Sequence, residues 1–273
     1  MRPVSLLFAA AGLLIAAPGM ADAQPTFEQA LSRIRHNVEV FETQLPDFVC
    51  TEKITSRTVA EQDGSVEKET VIESTFSGRQ NHSALSKLGG LSFKEERQIE
   101  TVNGARWGEK TMPRGVFHVS GGYGSILVMI FGSKGEANYS FSPAEPDQGS
   151  SEPAFVVAFT TKNGKQKVRE KNGTSSFQAT GRAWFDPVSF EVIRLEERIL
   201  AKADEPGDEL PVTVEYRPVQ IGEGQFRLPV RVSATAHREV AGKAERGEYL
   251  AEYSDYRKYG ASSTIHYPNL EPH

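Results

Sequence analysis

Residues 26–54 read TFEQALSRIRHNVEVFETQLPDFVCTEKI, and the spacing of their apolar residues changes once along the way. In the first part Phe27, Ala30, Leu31, Ile34, Val38, Phe41 and Leu45 recur at steps of three and four, which places them on one face of a helix. Thr26 and Gln29 stand at capping-box spacing, and Pro46 ends the run. Beyond the proline, Phe48, Cys50 and Ile54 alternate with other residues, which is the two-residue period of a strand. The stretch predicts one amphipathic helix over 26–45 that needs a surface to lie on, followed at once by sheet.

The two-residue period continues downstream. Val66, Ile72 and Phe76 share a parity interrupted by glutamates and threonines. The alternation is clearer in Phe177, Ala179, Ala183 and Phe185, and again in Phe226, Leu228, Val230, Val232, Ala234 and Ala236. Strands with one apolar and one polar face belong to an antiparallel sheet rather than a βαβ layer. Turn signals at Asp63-Gly64, Asn103-Gly104, Asn163-Gly164, Asn172-Gly173 and 222–224 cut the chain into hairpin-sized pieces, about ten strands in all. One stretch breaks the pattern: 123–131, YGSILVMIF, is apolar almost all round. Periodicity at this length fits either a buried strand or a short buried helix; the flanking glycines and Ser125 favour the helix. The segments 142–153 and 202–209, rich in Pro, Gly, Ser and acid, read as exposed loops, so residues 24–273 are expected to form one α+β domain.

Ahead of the helix, Arg2 precedes an uncharged apolar run over 4–17, a Pro18-Gly19 break and the small-x-small triplet Ala21-Asp22-Ala23. That is the pattern of a cleavable export signal over 1–23, with the cut near Ala23 and the mature chain periplasmic or extracellular. The apolar run is too short to span a bilayer, and no longer one follows, so no transmembrane segment is expected in the mature chain. A net charge of −5 without a basic tract argues against nucleic acid as a partner.

Cys50 is the only cysteine, so it cannot form an internal disulfide, and its place between Phe48 and Ile54 reads as a small core residue rather than a nucleophile. The six histidines show no metal-ligand spacing, and neither a phosphate-loop pattern nor a GxSxG elbow occurs. Glu95-Glu96 and Glu196-Glu197 are paired carboxylates in sequence only, since neighbours on a strand point to opposite faces. No catalytic residue, metal site or cofactor is therefore expected. The basic hairpin 162–173 carries Lys162, Lys165, Lys167, Arg169 and Lys171, and reads either as a solvated turn or as a contact for a membrane surface or an acidic envelope protein.

Three segments, LPDFVCTEKITSR (45–57), GRAWFDPVSFEVIRLE (181–196) and EYSDYRKYGASSTI (252–265), together resemble a family of exported bacterial proteins of acidobacterial type. In outline they are also similar to the lipoprotein-carrier (LolA/LppX-like) superfamily. The strongest likeness is the strand, Asp186-Pro187 turn and strand ending in Ile193-Arg194-Leu195. The resemblance implies a strongly curved antiparallel half-barrel wrapped around its N-terminal helix and a second short helix. It carries no ligand-contacting residue across. A half-barrel either encloses an apolar cavity or fills its hollow. The first case suggests a non-enzymatic carrier for a lipid, acylated protein or other hydrophobic molecule, whose ligand would meet Tyr123, Ile126, Leu127, Met129, Ile130 and Phe131. The second suggests an envelope protein–protein interaction module, and an enzyme built on Cys50 ranks last.

Overall fold

The structure, a computed structural model, describes residues 25–80, 93–109, 111–119, 123–133, 135–146, 153–162, 166–170, 173–200, 209–240 and 242–260. The expected signal with its cut at Ala23, the glycines 121 and 122, the Asn163-Gly164 turn, Asn172, Lys165 and Lys171 lie outside these residues.

Helix α1 spans Phe27–Gln44. Its capping box is made in both directions: Gln29 N donates to Thr26 Oγ1 at 3.3 Å, and Thr26 N donates to Gln29 Oε1 at 3.0 Å. Leu45, extended at ψ 118 ahead of Pro46, stops it. The chain then enters β1 (Phe48–Ala60), β2 (Val66–Gln80), β3 (Phe93–Val102) and the two-residue β4 (Ala105–Arg106). Asn103 and Gly104 both have positive φ, 50° and 78°, as a two-residue hairpin of this twist requires. Next come two short helices, α2 (Ser125–Phe131) and α3 (Gly135–Asn138). A second meander follows: β5 (Tyr139–Ala144), β6 (Phe155–Thr161), β7 (Gln166–Glu170), β8 (Gly173–Phe185), β9 (Val192–Leu200), β10 (Glu209–Ile221), β11 (Gly224–Val240) and β12 (Lys243–Lys258). The segment 123–131 thus contains a helix, as its flanking residues indicated.

All described strands join one open antiparallel sheet in the order β4-β3-β2-β1-β12-β11-β10-β9-β8-β6-β5, with β7 paired to the start of β8. Because β6 and β7 both run antiparallel to β8 and pair with successive parts of it, they form one interrupted strand; this and the tiny β4 carry the count past the ten expected. The long alternation read over 226–236 is also broken. Pro229 pairs with Tyr216 and Arg231 with Glu215, so Val230 is left as a bulge.

The faces of this sheet differ as the alternation requires. A transverse row on the outer face runs Arg194, Glu215, Arg231, Glu252, Lys53, Glu73, each residue opposite the next across six strands. Opposite charges in register stabilise each pair modestly, and a one-residue slip would turn them into the core. The inner face is apolar and covered by the helices. Helix α1 lies across the strands: Phe27 stacks on Phe155 of β6 at 6.2 Å, while at its far end Glu42 O and Leu45 O accept from Gln80 Nε2 of β2 at 2.9 and 3.0 Å. Ala30, Leu31, Ile34 and Val38 are buried beneath it, and α2 packs alongside.

Burial of these side chains, at about 2 kcal/mol each, outweighs the cap as a source of stability. In urea unfolding, Ile34→Ala at a site 0% exposed should cost about 2–5 kcal/mol, and Thr26→Ala about 1 kcal/mol. Equal effects would mean that α1 is held by its end rather than its face.

Candidate functional site

Two features of the inner side are candidates for function: a polar network near β1 and a cleft beside α1. In the network, Glu52 shares the inward parity of Phe48, Cys50 and Ile54 and is 0% exposed. Arg97 of β3 clamps it with two bonds, one from Nε to Oε2 and one from Nη2 to Oε1 at 2.6 Å. Ser74 Oγ donates to Oε2 at 2.7 Å, and Tyr253 donates as well. Below it Tyr123 OH donates to Tyr256 OH at 3.0 Å, and Tyr256 OH donates to Pro229 O. The Tyr123 ring sits among Phe48, Phe76 and Tyr253 at 5.6, 4.8 and 5.0 Å. Gly124 N donates to Glu95 Oε1 at 3.1 Å, so a carboxylate also holds the start of α2. These groups satisfy one another, which marks a device for orienting the core.

Cys50 lies inside this network, 1% exposed and in hydrogen-bond contact with Tyr256. Burial, then the Glu52 charge, pushes its thiol up beyond the ordinary range. A thiol so placed lacks the exposure and positive surroundings that make a nucleophile. Among the described residues no group of three or more His, Cys, Asp or Glu converges as a metal site.

A cleft of about 270 Å³ opens between the second half of α1, the 186–192 turn and the start of β11. Its apolar wall includes Val38, Phe41, Leu127, Phe185, Phe190 and Phe226; Asn37, Gln44, Gln225, Glu191 and Arg227 stand among the polar residues around it. The turn is held firmly. Asp186 Oδ1 accepts from Val188 N and Ser189 N at 3.0 and 2.7 Å, which keeps its carboxyl below the usual range, and Phe190 N donates to Asp186 O at 2.9 Å. Asn37 Nδ2 of α1 donates to Ser189 O at 2.8 Å, fastening the turn to the helix. Phe190 itself has φ 58°, a left-handed conformation that a bulky side chain adopts only under constraint from its surroundings. Its ring is 2% exposed, edge-on to Phe155 at 5.6 Å and beneath the Arg33 guanidinium at 5.5 Å. Arg227 Nε and Glu191 Oε2 pair across the rim at 3.3 Å.

Of the six residues that sequence singled out, Leu127 borders this cleft, although at 2% exposed it too belongs to the core. Tyr123, Ile126, Ile130 and Phe131 are at most 3% exposed and belong to the packed interior, and Met129 is half-buried against it. In the basic hairpin, Lys162 Nζ donates to Glu136 O at 2.6 Å, and Lys167 and Arg169 fall on β7. Sequence reasoning missed the cleft residues contributed by α1 and β11, since nothing local distinguishes them from core. It also passed over Glu52, and it set Glu197 aside with Glu196 as a pair in sequence only, although each sits at a parity otherwise apolar, and that position was the available signal.

No protein-family model and no curated protein matches the chain, so the acidobacterial likeness gains no support. Among solved structures, MucB in complex with MucA(peri) is similar at 11% identity and a TM-score of 0.22, over 85% of this chain and 100% of that one. The Pseudomonas aeruginosa MucA/MucB complex is similar at 11% identity and a TM-score of 0.23, over 85% and 99%. Likeness this loose carries neither a partner nor a ligand across.

The network is testable by a double-mutant cycle. Arg97→Met strands a buried carboxylate and should cost about 3–5 kcal/mol in urea unfolding, whereas Arg97→Met combined with Glu52→Gln should recover a large part of that loss. Additive losses would show that the two side chains do not act as a pair.

Proposed function

We propose that this chain is an exported, non-enzymatic binding protein of the cell envelope that holds one small apolar group in the cleft beside α1. The observation that carries the proposal is the cleft itself: preformed, walled by aromatic and aliphatic side chains, and bordered by polar residues. At about 270 Å³ it has room for a single ring or a short aliphatic chain and not for a multi-chain lipid. The group it holds is the apolar end of a small hydrophobic molecule, an acyl chain of a modified protein, or an apolar side chain of an envelope partner. Among the described residues no helix is long and apolar enough to cross a membrane. The basic residues of the 162–173 hairpin offer a second contact, to anionic headgroups or an acidic partner.

One observation favours an interaction module over a bulk carrier. The hollow that a carrier would need is occupied by Tyr123, Ile126, Ile130 and Phe131. Catalysis by Cys50 is disfavoured by its buried, charge-repelled thiol.

The test is a calorimetric titration with 1-octanol, a neutral probe with one short aliphatic chain, and its displacement by decanoate. Wild-type protein should bind the probe. Gln44→Trp, which fills the cleft from an exposed position on its α1 rim, should weaken binding at least tenfold while the midpoint of thermal unfolding changes little. Equal binding by the variant, or none by the wild type, overturns the assignment.

A further inference from the structure

A second buried carboxylate is treated differently from Glu52. Glu197 of β9 is 1% exposed, and neither of its carboxylate oxygens has a hydrogen-bond partner. On the sheet it stands opposite Gly181 of β8 and Val212 of β10. A Cβ at Gly181 would meet Glu196 O at 2.0 Å and Phe159 Cζ at 2.5 Å, so the aromatic ring presses directly on the backbone beside the carboxyl. The titratable groups facing it are phenols, Tyr139 from β5 and Tyr216 from β10, and both feel its charge. The Tyr216 hydroxyl is likewise buried without a partner. From β8 come Ala179, Gly181 and Ala183; α2 places Phe131 over Phe159 and Phe185 at 6.1 and 5.2 Å; Arg35 of α1 and Glu136 of α3 pair with each other at 3.3 Å. Among the described residues no cation compensates the carboxylate. Its sequence neighbour Glu196, on the outer face, has Arg194 and Arg182.

We infer that Glu197 is a proton-operated latch: with its carboxyl neutral the β8–β10 limb packs closed on the helical layer, and loss of the proton loosens that limb and uncovers the apolar interior. A neutral carboxyl fits a buried site where no described side chain or backbone group bonds to it, whereas an ionised one there carries an uncompensated desolvation cost. Burial alone pushes its pKa from 4.5 up to about 7. In the opened limb the group returns to its ordinary value and ionises. Opening therefore becomes easier by about tenfold per pH unit as pH rises between those two values, and levels off above the higher one. The limb is tightest in acid and loosest above neutrality. This conclusion does not depend on the cleft.

The experiment is hydrogen exchange of the full chain between pH 5 and 8.5, read by mass spectrometry and corrected for the intrinsic rate. Amides of β8–β10 should gain about tenfold in opening per pH unit up to about pH 7 and then level off. Those of β1 and β2, separated from β9 by β10, β11 and β12, should stay flat. Glu197→Gln, which keeps the shape without the charge, should abolish the dependence. The same profile in that variant, or a flat profile in the wild type, overturns the latch. Should Glu197→Gln fail to fold, infrared difference spectra of the wild type decide: a buried protonated carboxyl band persisting at pH 6 supports the latch, and full ionisation by pH 6 refutes it.

Discussion

The pairing of the first strand with the last holds the two halves of this protein together. β1 meets β12 along almost its whole length, and on its other side β1 carries β2. Without that ladder the chain would be two meanders, one of four strands and one of eight, each with an apolar face and nothing to close over. The ladder also brings Tyr253 and Tyr256 of β12 beside Cys50 and Glu52 of β1, so the polar network beneath α2 exists only because the strands join. Phe117, on the segment leading to α2, adds to this by resting edge-on against Tyr249 at 6.5 Å while its N–H donates to Ser56 Oγ at 3.1 Å.

The sheet answers the problem of a buried carboxylate in two ways. Glu52 stays within reach of a bidentate guanidinium, a hydroxyl and a phenol, and such a fully satisfied group adds specificity to the packing around it. Glu197 has no hydrogen-bond partner among the described residues, and burial raises its carboxyl above the ordinary range. The two lie on different strands of the sheet, Glu52 on β1 and Glu197 on β9.

Helix α1 serves as both lid and wall. Its inward residues are core, while Asn37, Phe41 and Gln44 face the cleft, and its grip on the Asp186 turn through Asn37 fixes Phe190 in a conformation the residue would not choose alone. A pocket built from a helix face and a braced turn needs little rearrangement on binding, which keeps the entropic cost of occupancy low.

Much of this was legible in the linear sequence. The helix in 26–45, the antiparallel character of the strands, the Asn103-Gly104 hairpin and the burial of the 123–131 run all follow from local periodicity and turn chemistry, because each is decided by residues within a few positions of one another. Period alone could not say that β1 pairs with β12, that Val230 would bulge, or where a cleft would be left. Nor could it tell the two glutamates apart. Both sit at apolar parity, but whether a buried carboxylate is paired depends on a partner brought from far along the chain. Arg97 reaches Glu52 across 45 residues, and among the described residues no cation reaches Glu197. An apolar pattern records which face of a strand avoids water, and only the folded chain decides what that face meets.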